Sequence, residues 1–260
     1  MIGVWPQLEC RMTTIPFPAD DAPAIRRLAA AACVAASAAI LGAGMGDAAA
    51  VDGWRVLHWL CKPLATGLIL WLVWRAAAPV SARYRRRILA GMVFSLIGDV
   101  FLMLSARWFV AGLLGFLLAH LCFIAAFVAD KPLRARPLPW LLCLGYGALA
   151  VWLLWPQLPP PLRVAVPAYI AVLASMGGQA VGRAQWLQAA RDPRTASARL
   201  AAIGALAFML SDSLLAWNRF MAPLPCSALW VLATYYVALW LIGLSVYRSD
   251  AFVTVPRRLA

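Results

Sequence analysis

The sequence predicts an all-α, polytopic integral membrane protein with eight transmembrane helices, and three observations support this fold class. First, 64% of the 260 residues are hydrophobic and only 13% are charged, whereas about a quarter of the residues of a soluble domain are charged. Second, eight apolar segments each approach the roughly 20 residues that a spanning helix needs. Third, basic residues concentrate in alternate connections between these segments.

The eight predicted spans follow one another with short connections. Proline interrupts several of these connections, as at Pro79, Pro132 and Pro193, and proline is a strong helix-stopping signal. Because element boundaries read from sequence are uncertain by about 2–4 residues, the spans are approximate. They cover residues 25–45, 56–75, 88–106, 109–128, 138–155, 162–182, 199–218 and 226–247.

The domain organisation that follows is simple. Residues 1–24 mix prolines and acidic residues without the basic-then-apolar order of a signal peptide, so we expect a flexible cytoplasmic leader. Residues 25–248 form a single transmembrane domain, because no connection is long enough to hold a second one. Residues 249–260 are expected to form a cytoplasmic tail.

The distribution of charge predicts the orientation in the membrane. The chain has 23 Lys and Arg against 10 Asp and Glu, a net charge of +13. Eighteen of these basic residues fall near the termini and after the second, fourth and sixth spans; the connections on the other side hold only Arg55, Arg107, Arg163 and Arg219. Basic residues accumulate on the cytoplasmic side, so we expect both termini to be cytoplasmic. The Ala- and Arg-rich composition is typical of bacterial proteins and indicates an inner membrane.

Composition also excludes several classes of site. The basic residues lie in short loops rather than along one stripe, so no nucleic-acid partner is expected. The six Cys occur singly without a CxxC pair, and there are only two His, His58 and His120. A hydrolytic zinc site with three His ligands is therefore excluded, and we expect neither a metal nor another cofactor. Nothing in the sequence indicates the oligomeric state.

Two related motifs place a carboxylate inside a predicted span. Gly91–Met103, GMVFSLIGDVFLM, contains Asp99, and Gly204–Ala216, GALAFMLSDSLLA, contains Asp212. In each motif an Asp follows a Gly by eight positions. An ionisable residue is costly in a bilayer, so each Asp indicates a functional site. The two motifs lie four spans apart, which predicts two four-helix halves related by a parallel pseudo-twofold axis.

Other polar residues fall at comparable depths in neighbouring spans, and we expect them to share one cavity in the outer half of the bilayer. They are Lys62, His120, Tyr169, Tyr235 and Tyr236. Each of these residues also has a structural alternative. In these alternatives, Lys62 and Asp99 form an ion pair with no catalytic role, and Asp212 forms hydrogen bonds with the neighbouring Ser211 and Ser213. His120 and the tyrosines would then only pack against other helices. His58 is interpreted as an interfacial residue.

These motifs resemble those of the YhhN family of eight-helix membrane proteins, whose animal members are lysoplasmalogenases. The resemblance covers residues from about 56 to 245. One departure is visible, because Ala238 is followed by Leu239 where the family pattern has Gln. The motifs that carry the resemblance are Lys62-Pro63-Leu64, Gly91 to Gly98-Asp99, Phe109-x-x-Gly112-x-x-x-Phe116-x-x-x-His120, Ser211-Asp212 and Tyr235-Tyr236.

The resemblance implies hydrolysis of the vinyl ether bond of lysoplasmenylethanolamine or lysoplasmenylcholine, which releases a fatty aldehyde and a glycerophospho-alcohol. Two carboxylates suit this chemistry, one as a general acid and one as a base or stabiliser of the oxocarbenium ion. We expect Asp99 and Asp212 in these roles, with Asp212 favoured as the acid. His120 orients water or transfers protons. The residues expected to bind substrate are Lys62, Tyr169, Ser211, Tyr235 and Tyr236.

The expected partners are therefore a lysophospholipid substrate and membrane lipids. Two other functions remain alternatives. A proton-coupled transporter also places Asp, Lys and His within the membrane and is commonly built from repeats. A lipid-binding protein with the same cavity but no turnover is the other.

Overall fold

The computed structural model describes residues 22–46, 51–76, 79–130 and 136–247. Within these ranges it contains eight α-helices, three short 3-10 turns and no β-strand. All eight helices are long and apolar enough to cross a membrane, which confirms the predicted fold class. The predicted leader and tail lie outside the described residues, apart from residues 22–24. The helices are α1 Ala22–Met45, α2 Gly53–Trp74, α3 Ala82–Leu104, α4 Phe109–Phe127, α5 Pro137–Leu154, α6 Ala165–Ala189, α7 Thr195–Phe220 and α8 Ser227–Leu244.

Several helices extend further than predicted at the end of the bundle where α2, α4 and α6 finish, which we call the Arg-rich end. α3 begins at Ala82 rather than at 88, and basic residues occupy its first turns. Long Arg side chains extend outward while their backbone remains helical. Arg85 donates to the carbonyl of Ala76, just after α2, and Arg87 to that of Ala125 in the last turn of α4. Cations are favourable at these carbonyl ends.

The predicted end of the sixth span at 182 was also wrong, and with it the assignment of Arg183 to a loop. Arg183 lies inside α6 and is fully buried. Its Nε and Nη2 donate to the two carboxylate oxygens of Asp130 at 2.9 and 2.7 Å. Arg194 lies 3.1 Å from Asp130 and also donates to Asp192, which lowers the pKa of the Asp192 carboxyl. This cluster links α4 to α6 and to the α6–α7 connection.

The helices pack mainly as consecutive pairs, α1 with α2, α3 with α4, α5 with α6, and α7 with α8. α4 also packs on α6, and α2 on α3 and α8, so that these helices surround the centre of the bundle. α5 is an outer helix that packs along α6 and barely touches α7. The fold thereby places α2, α3, α4, α6, α7 and α8 around the intramembrane carboxylates.

Small residues bring α3 and α4 together beside Asp99. A Cβ atom added to Gly115 would lie 2.9 Å from the Cα and N of Gly98 and 3.2 Å from the carbonyl oxygen of Phe94. These are backbone atoms, so relief requires the helices to move apart. Gly98 directly precedes Asp99, and the α3–α4 distance therefore determines where this carboxylate lies.

We expect Gly115→Ala to lower the free energy of unfolding by about 1–3 kcal/mol, as overpacking of a filled core does. Thermal unfolding in detergent measures the change. The matched control is Gly145→Ala on α5, where an added Cβ would meet no atom within 4 Å. Equal unfolding temperatures for the two variants would contradict the close contact.

We expect Asp130→Asn to destabilise the protein by about 3–5 kcal/mol, because it leaves the buried guanidinium of Arg183 without its counter-ion. Asp192→Asn removes a carboxylate paired with Arg194, whose side chain is 34% exposed, and such pairs contribute about 1 kcal/mol or less. Denaturant unfolding of both variants in the same detergent compares them. Similar losses would show that the Arg183 pair is not the stabilising contact.

Candidate functional site

Asp99, in α3, is almost completely buried and is surrounded by donors from two other helices. The ammonium group of Lys62 in α2 lies 3.1 Å from its Oδ1. The hydroxyls of Thr66, also in α2, and of Tyr235 in α8 donate to its Oδ2 at 2.9 and 2.6 Å. Charge-assisted hydrogen bonds of this kind stabilise a carboxylate in its ionised form.

Asp212, in α7, has a different set of neighbours. The hydroxyl of Tyr169 in α6 donates to its Oδ2 in a short hydrogen bond. Nε2 of His120 in α4 lies 3.0 Å from that hydroxyl and 3.6 Å from Oδ2 of Asp212. No Lys or Arg side chain in the described residues pairs with Asp212. The two carboxylates therefore differ in their surroundings, one beside an ammonium group and the other at the end of a hydrogen-bonded chain.

Both carboxylates line one polar cavity of about 230 Å³, which also includes Lys62, Ser211 and Tyr235. Asp212 in addition lines a second, apolar cavity of about 240 Å³ between α4, α5, α6 and α7. Leu102, Phe116 and Leu215 contribute to both cavities. Asp212 is therefore the carboxylate that lies at the junction of an apolar and a polar compartment.

Phe208 lies between the two sets of polar residues and holds their rings. Its ring centroid is 4.7 Å from that of His120 and 5.5 Å from that of Tyr235, with nearly perpendicular planes in both contacts. Phe116 packs edge-on against Phe208 and Tyr235. Edge-to-face contacts of this kind are favourable and directional. The packing fixes the orientation of the groups that contact each carboxylate.

Most of the predicted site residues come together, in two groups rather than one. Lys62 and Tyr235 contact Asp99, and His120 and Tyr169 accompany Asp212. Tyr236 packs on Tyr235 with ring centroids 5.3 Å apart but lines neither cavity. The buried Leu239 brings no polar atom from its position in α8.

The alternative in which Asp212 bonds its neighbouring serines is wrong. Ser211 lines the polar cavity but donates to the carbonyl of Val231, and Ser213 donates to that of Met209. Each hydroxyl uses a backbone acceptor instead, as is common for Ser in apolar helices. Asp212 therefore takes its hydrogen bond from another helix, through Tyr169.

Sequence reasoning missed Thr66, and it interpreted His58 only as an interfacial residue. His58 lines the polar cavity, and its Nδ1 lies 2.9 Å from the carbonyl of Ala39, to which it donates. His58, Lys62 and Thr66 are spaced by four residues and so share one face of α2. That spacing was the available signal. Asn218, also missed, lines the same cavity from the end of α7.

Comparison with known proteins supports the family resemblance. The model of the YhhN family matches residues 57–246. Bovine lysoplasmalogenase TMEM86A is 36% identical over 165 residues, which cover 63% of this chain and 66% of the bovine protein. Pig lysoplasmalogenase TMEM86B is 36% identical over 180 residues, 68% of this chain and 71% of the relative.

A bacterial relative, the lysoplasmalogenase of Mycobacterium bovis, is 35% identical over 159 residues, 56% of each chain. The chain thus spans just under two thirds of the length of the bovine relative. No solved structure matches. Because the family model matches most of the chain, and the matched region contains every residue of both carboxylate groups, the protein belongs to the YhhN family.

Proposed function

We propose that this protein is a membrane-embedded lysoplasmalogenase that hydrolyses the vinyl ether bond of lysoplasmenylethanolamine or lysoplasmenylcholine. The observation that carries the proposal is the position of Asp212 at the junction of the apolar and the polar cavity, with Asp99 lining the polar side. A lysoplasmalogen has the same division, because its vinyl ether joins a hydrocarbon chain to a glycerophospho head group. The names of the relatives support the same activity.

Asp212 is the general acid in this proposal. Its proton moves to the alkene carbon farther from oxygen, which converts the vinyl ether into an oxocarbenium ion and leaves Asp212 as a carboxylate. Water then adds to the carbon bonded to oxygen and returns a proton to Asp212. The hemiacetal breaks its bond to the glycerol oxygen, which takes the remaining hydroxyl proton. The products are a fatty aldehyde and a glycerophospho-alcohol.

Asp99 supplies the negative charge opposite the developing cation. The ammonium group of Lys62 and two hydroxyls contact it, whereas no Lys or Arg of the described residues pairs with Asp212, which is for that reason assigned the role of acid. Preorganised charge in a site shielded from water is a large contribution to catalysis. Lys62 serves mainly as the counter-ion of Asp99, which leaves His58, Ser211 and Asn218 to contact the head group in the polar cavity.

His120 and Tyr169 position the acid and give it a path for proton exchange. The Tyr169 hydroxyl donates to Asp212, so Nε2 of His120 donates to Tyr169. Reversal of both hydrogen bonds would carry a proton from Asp212 toward the imidazole, and the forward direction would return it. Such a chain provides the proton exchange that general acid–base catalysis requires.

The proposed orientation places the N- and C-termini in the cytoplasm of a bacterial cell and the protein in its inner membrane. Asp99 lies five residues before the end of α3, or about 8 Å from the end opposite to the Arg-rich one. With the Arg-rich end cytoplasmic, the carboxylates lie in the outer half of the bilayer and accept lysolipid from the outer leaflet.

We expect Asp212→Asn to lower turnover of a lysoplasmalogen roughly 100- to 10,000-fold, the range for removal of an acid–base group, and Asp99→Asn roughly 100- to 1,000-fold, the range for removal of a preorganised electrostatic contact. Aldehyde release by purified protein in detergent is the measurement. Asp192→Asn at the Arg-rich end is the matched control and should retain activity. Thermal unfolding of each variant confirms that the fold is present.

Retention of activity in folded Asp99→Asn and Asp212→Asn would overturn the site. If wild-type protein instead moves lysolipid across sealed vesicles without releasing aldehyde, it is a transporter. Binding of lysolipid with neither flux nor product identifies a lipid-binding protein.

We expect Tyr169→Phe to lower kcat roughly 10- to 100-fold, because it interrupts the contact between His120 and Asp212 and removes part of the acid–base contribution. Tyr236→Phe is the matched control, since Tyr236 contacts neither carboxylate through a hydrogen bond in the described residues. Separate values of kcat and KM distinguish an effect on catalysis from an effect on substrate binding. A loss confined to KM would assign Tyr169 to substrate binding alone.

A further inference from the structure

The apolar cavity is open on the side of α5. Tyr146, Leu149 and Leu153 line this cavity, and they are also 46%, 52% and 40% exposed on the surface of the protein. These residues lie in a membrane-spanning helix, so their exposed surface faces lipid. α5 packs along α6 but barely touches α7. The cavity therefore reaches the hydrocarbon region of the bilayer through the cleft between α5 and α7.

One side-chain hydrogen bond crosses this cleft. The hydroxyl of Tyr146 in α5 lies 2.7 Å from Oγ of Ser213 in α7. Because Ser213 donates to the carbonyl of Met209, Tyr146 is the donor in this contact. Hydrogen bonds between membrane helices contribute only about 0.6 kcal/mol on average, so the cleft can widen at small cost. Ser213 follows Asp212 directly, and the cleft thus leads to the proposed general acid.

We propose that the α5–α7 cleft is a lateral opening that binds the single hydrocarbon chain of a lysolipid as it enters from the bilayer. What happens to the bound lipid rests on the proposed function; binding of the chain does not. Most side chains that line the cavity beyond the cleft are apolar; the charged or hydroxyl-bearing exceptions are Tyr146, Tyr169, Asp212, Ser213 and Arg219. A chain that enters here stays in apolar surroundings, and its head group moves along the cleft toward the polar cavity.

The other route, through the polar cavity, is unfavourable for the chain. It would bring each methylene past Lys62, Asp99 and Asp212. Separating Lys62 from Asp99 would break a buried ion pair, which is strongly destabilising. The lateral route leaves the hydrogen bonds of Asp99 intact and breaks the Tyr146–Ser213 hydrogen bond. The geometry thus separates the path of the chain from the path of the head group.

A photoreactive lipid tests the opening without turnover. The probe is a saturated 1-O-alkyl lysophosphatidylcholine with a diazirine at the end of its chain, which contains no vinyl ether to hydrolyse. We expect light-dependent labels on α5 and α7 at residues lining the apolar cavity, reduced by unlabelled lysolipid but not by a diacyl phospholipid. Labels spread over all lipid-facing helices, or equal competition by both lipids, would overturn the proposal.

A pair of bulky substitutions tests entry. Leu149→Trp narrows the cleft, whereas Leu142→Trp changes another exposed Leu of α5, two turns earlier, that does not line the cavity. We expect Leu149→Trp to lower kcat/KM for a long-chain lysoplasmalogen about tenfold, the scale of steric selection in an apolar pocket. For a short-chain, water-soluble vinyl ether, the kcat/KM of Leu149→Trp should fall little. Leu142→Trp should have the kcat/KM of wild type with both substrates.

The two experiments separate failure of the opening from failure of the proposed function. Equal losses of Leu149→Trp on long and short substrates, or equal behaviour of the two Trp variants, would overturn the lateral opening while turnover by wild type upholds the enzyme. Absence of turnover on every vinyl ether would overturn the enzyme. In that case the labelling pattern of the saturated probe still decides whether the α5–α7 cleft binds a chain.

Discussion

The cost of an ionisable side chain inside a bilayer is the constraint on which this structure depends. Asp99 and Asp212 both offset this cost through contacts with polar groups on other helices. Asp99 is held from α2 and α8, and Asp212 from α4 and α6. Two carboxylates thereby connect six of the eight described helices. Among the described residues, α1 and α5 provide no group to either carboxylate, in keeping with the proposed opening between α5 and α7.

We infer that the arrangement of these contacts reflects the predicted pseudo-twofold repeat. Asp99 and Asp212 each lie 17 residues after the first residue of their helix, Ala82 and Thr195. An exchange of the two halves converts α2 into α6 and α8 into α4, which exchanges the helices that hold Asp99 for those that hold Asp212. The repeat remains a prediction, and this correspondence supports it.

The sequence was sufficient for the eight helices and for both carboxylates, because long apolar runs and isolated charges are strong signals. It was insufficient where a residue has no unusual character in its own segment. Thr66 is unremarkable in an apolar helix until Asp99 lies beside it. Arg183 was assigned to a loop because the predicted sixth span ended at 182, and its counter-ion, Asp130, lies 53 positions earlier, too far for the sequence to indicate the pair. The predicted boundaries of helices at the Arg-rich end were wrong for a similar reason. The carbonyls that Arg85 and Arg87 contact belong to other parts of the chain, which the local sequence does not indicate.

Lys62 is the residue that makes the surroundings of the two carboxylates chemically different. Two carboxylates in equivalent surroundings would have the same proton affinity, so neither would be specialised as the acid or as the anion. The ammonium group of Lys62 lies beside Asp99 and does not pair with Asp212. Asp212 instead accepts a hydrogen bond from the hydroxyl of Tyr169 in α6. In the proposed mechanism this one lysine distinguishes the two carboxylates, and the proton is assigned to Asp212, which also lines the apolar cavity.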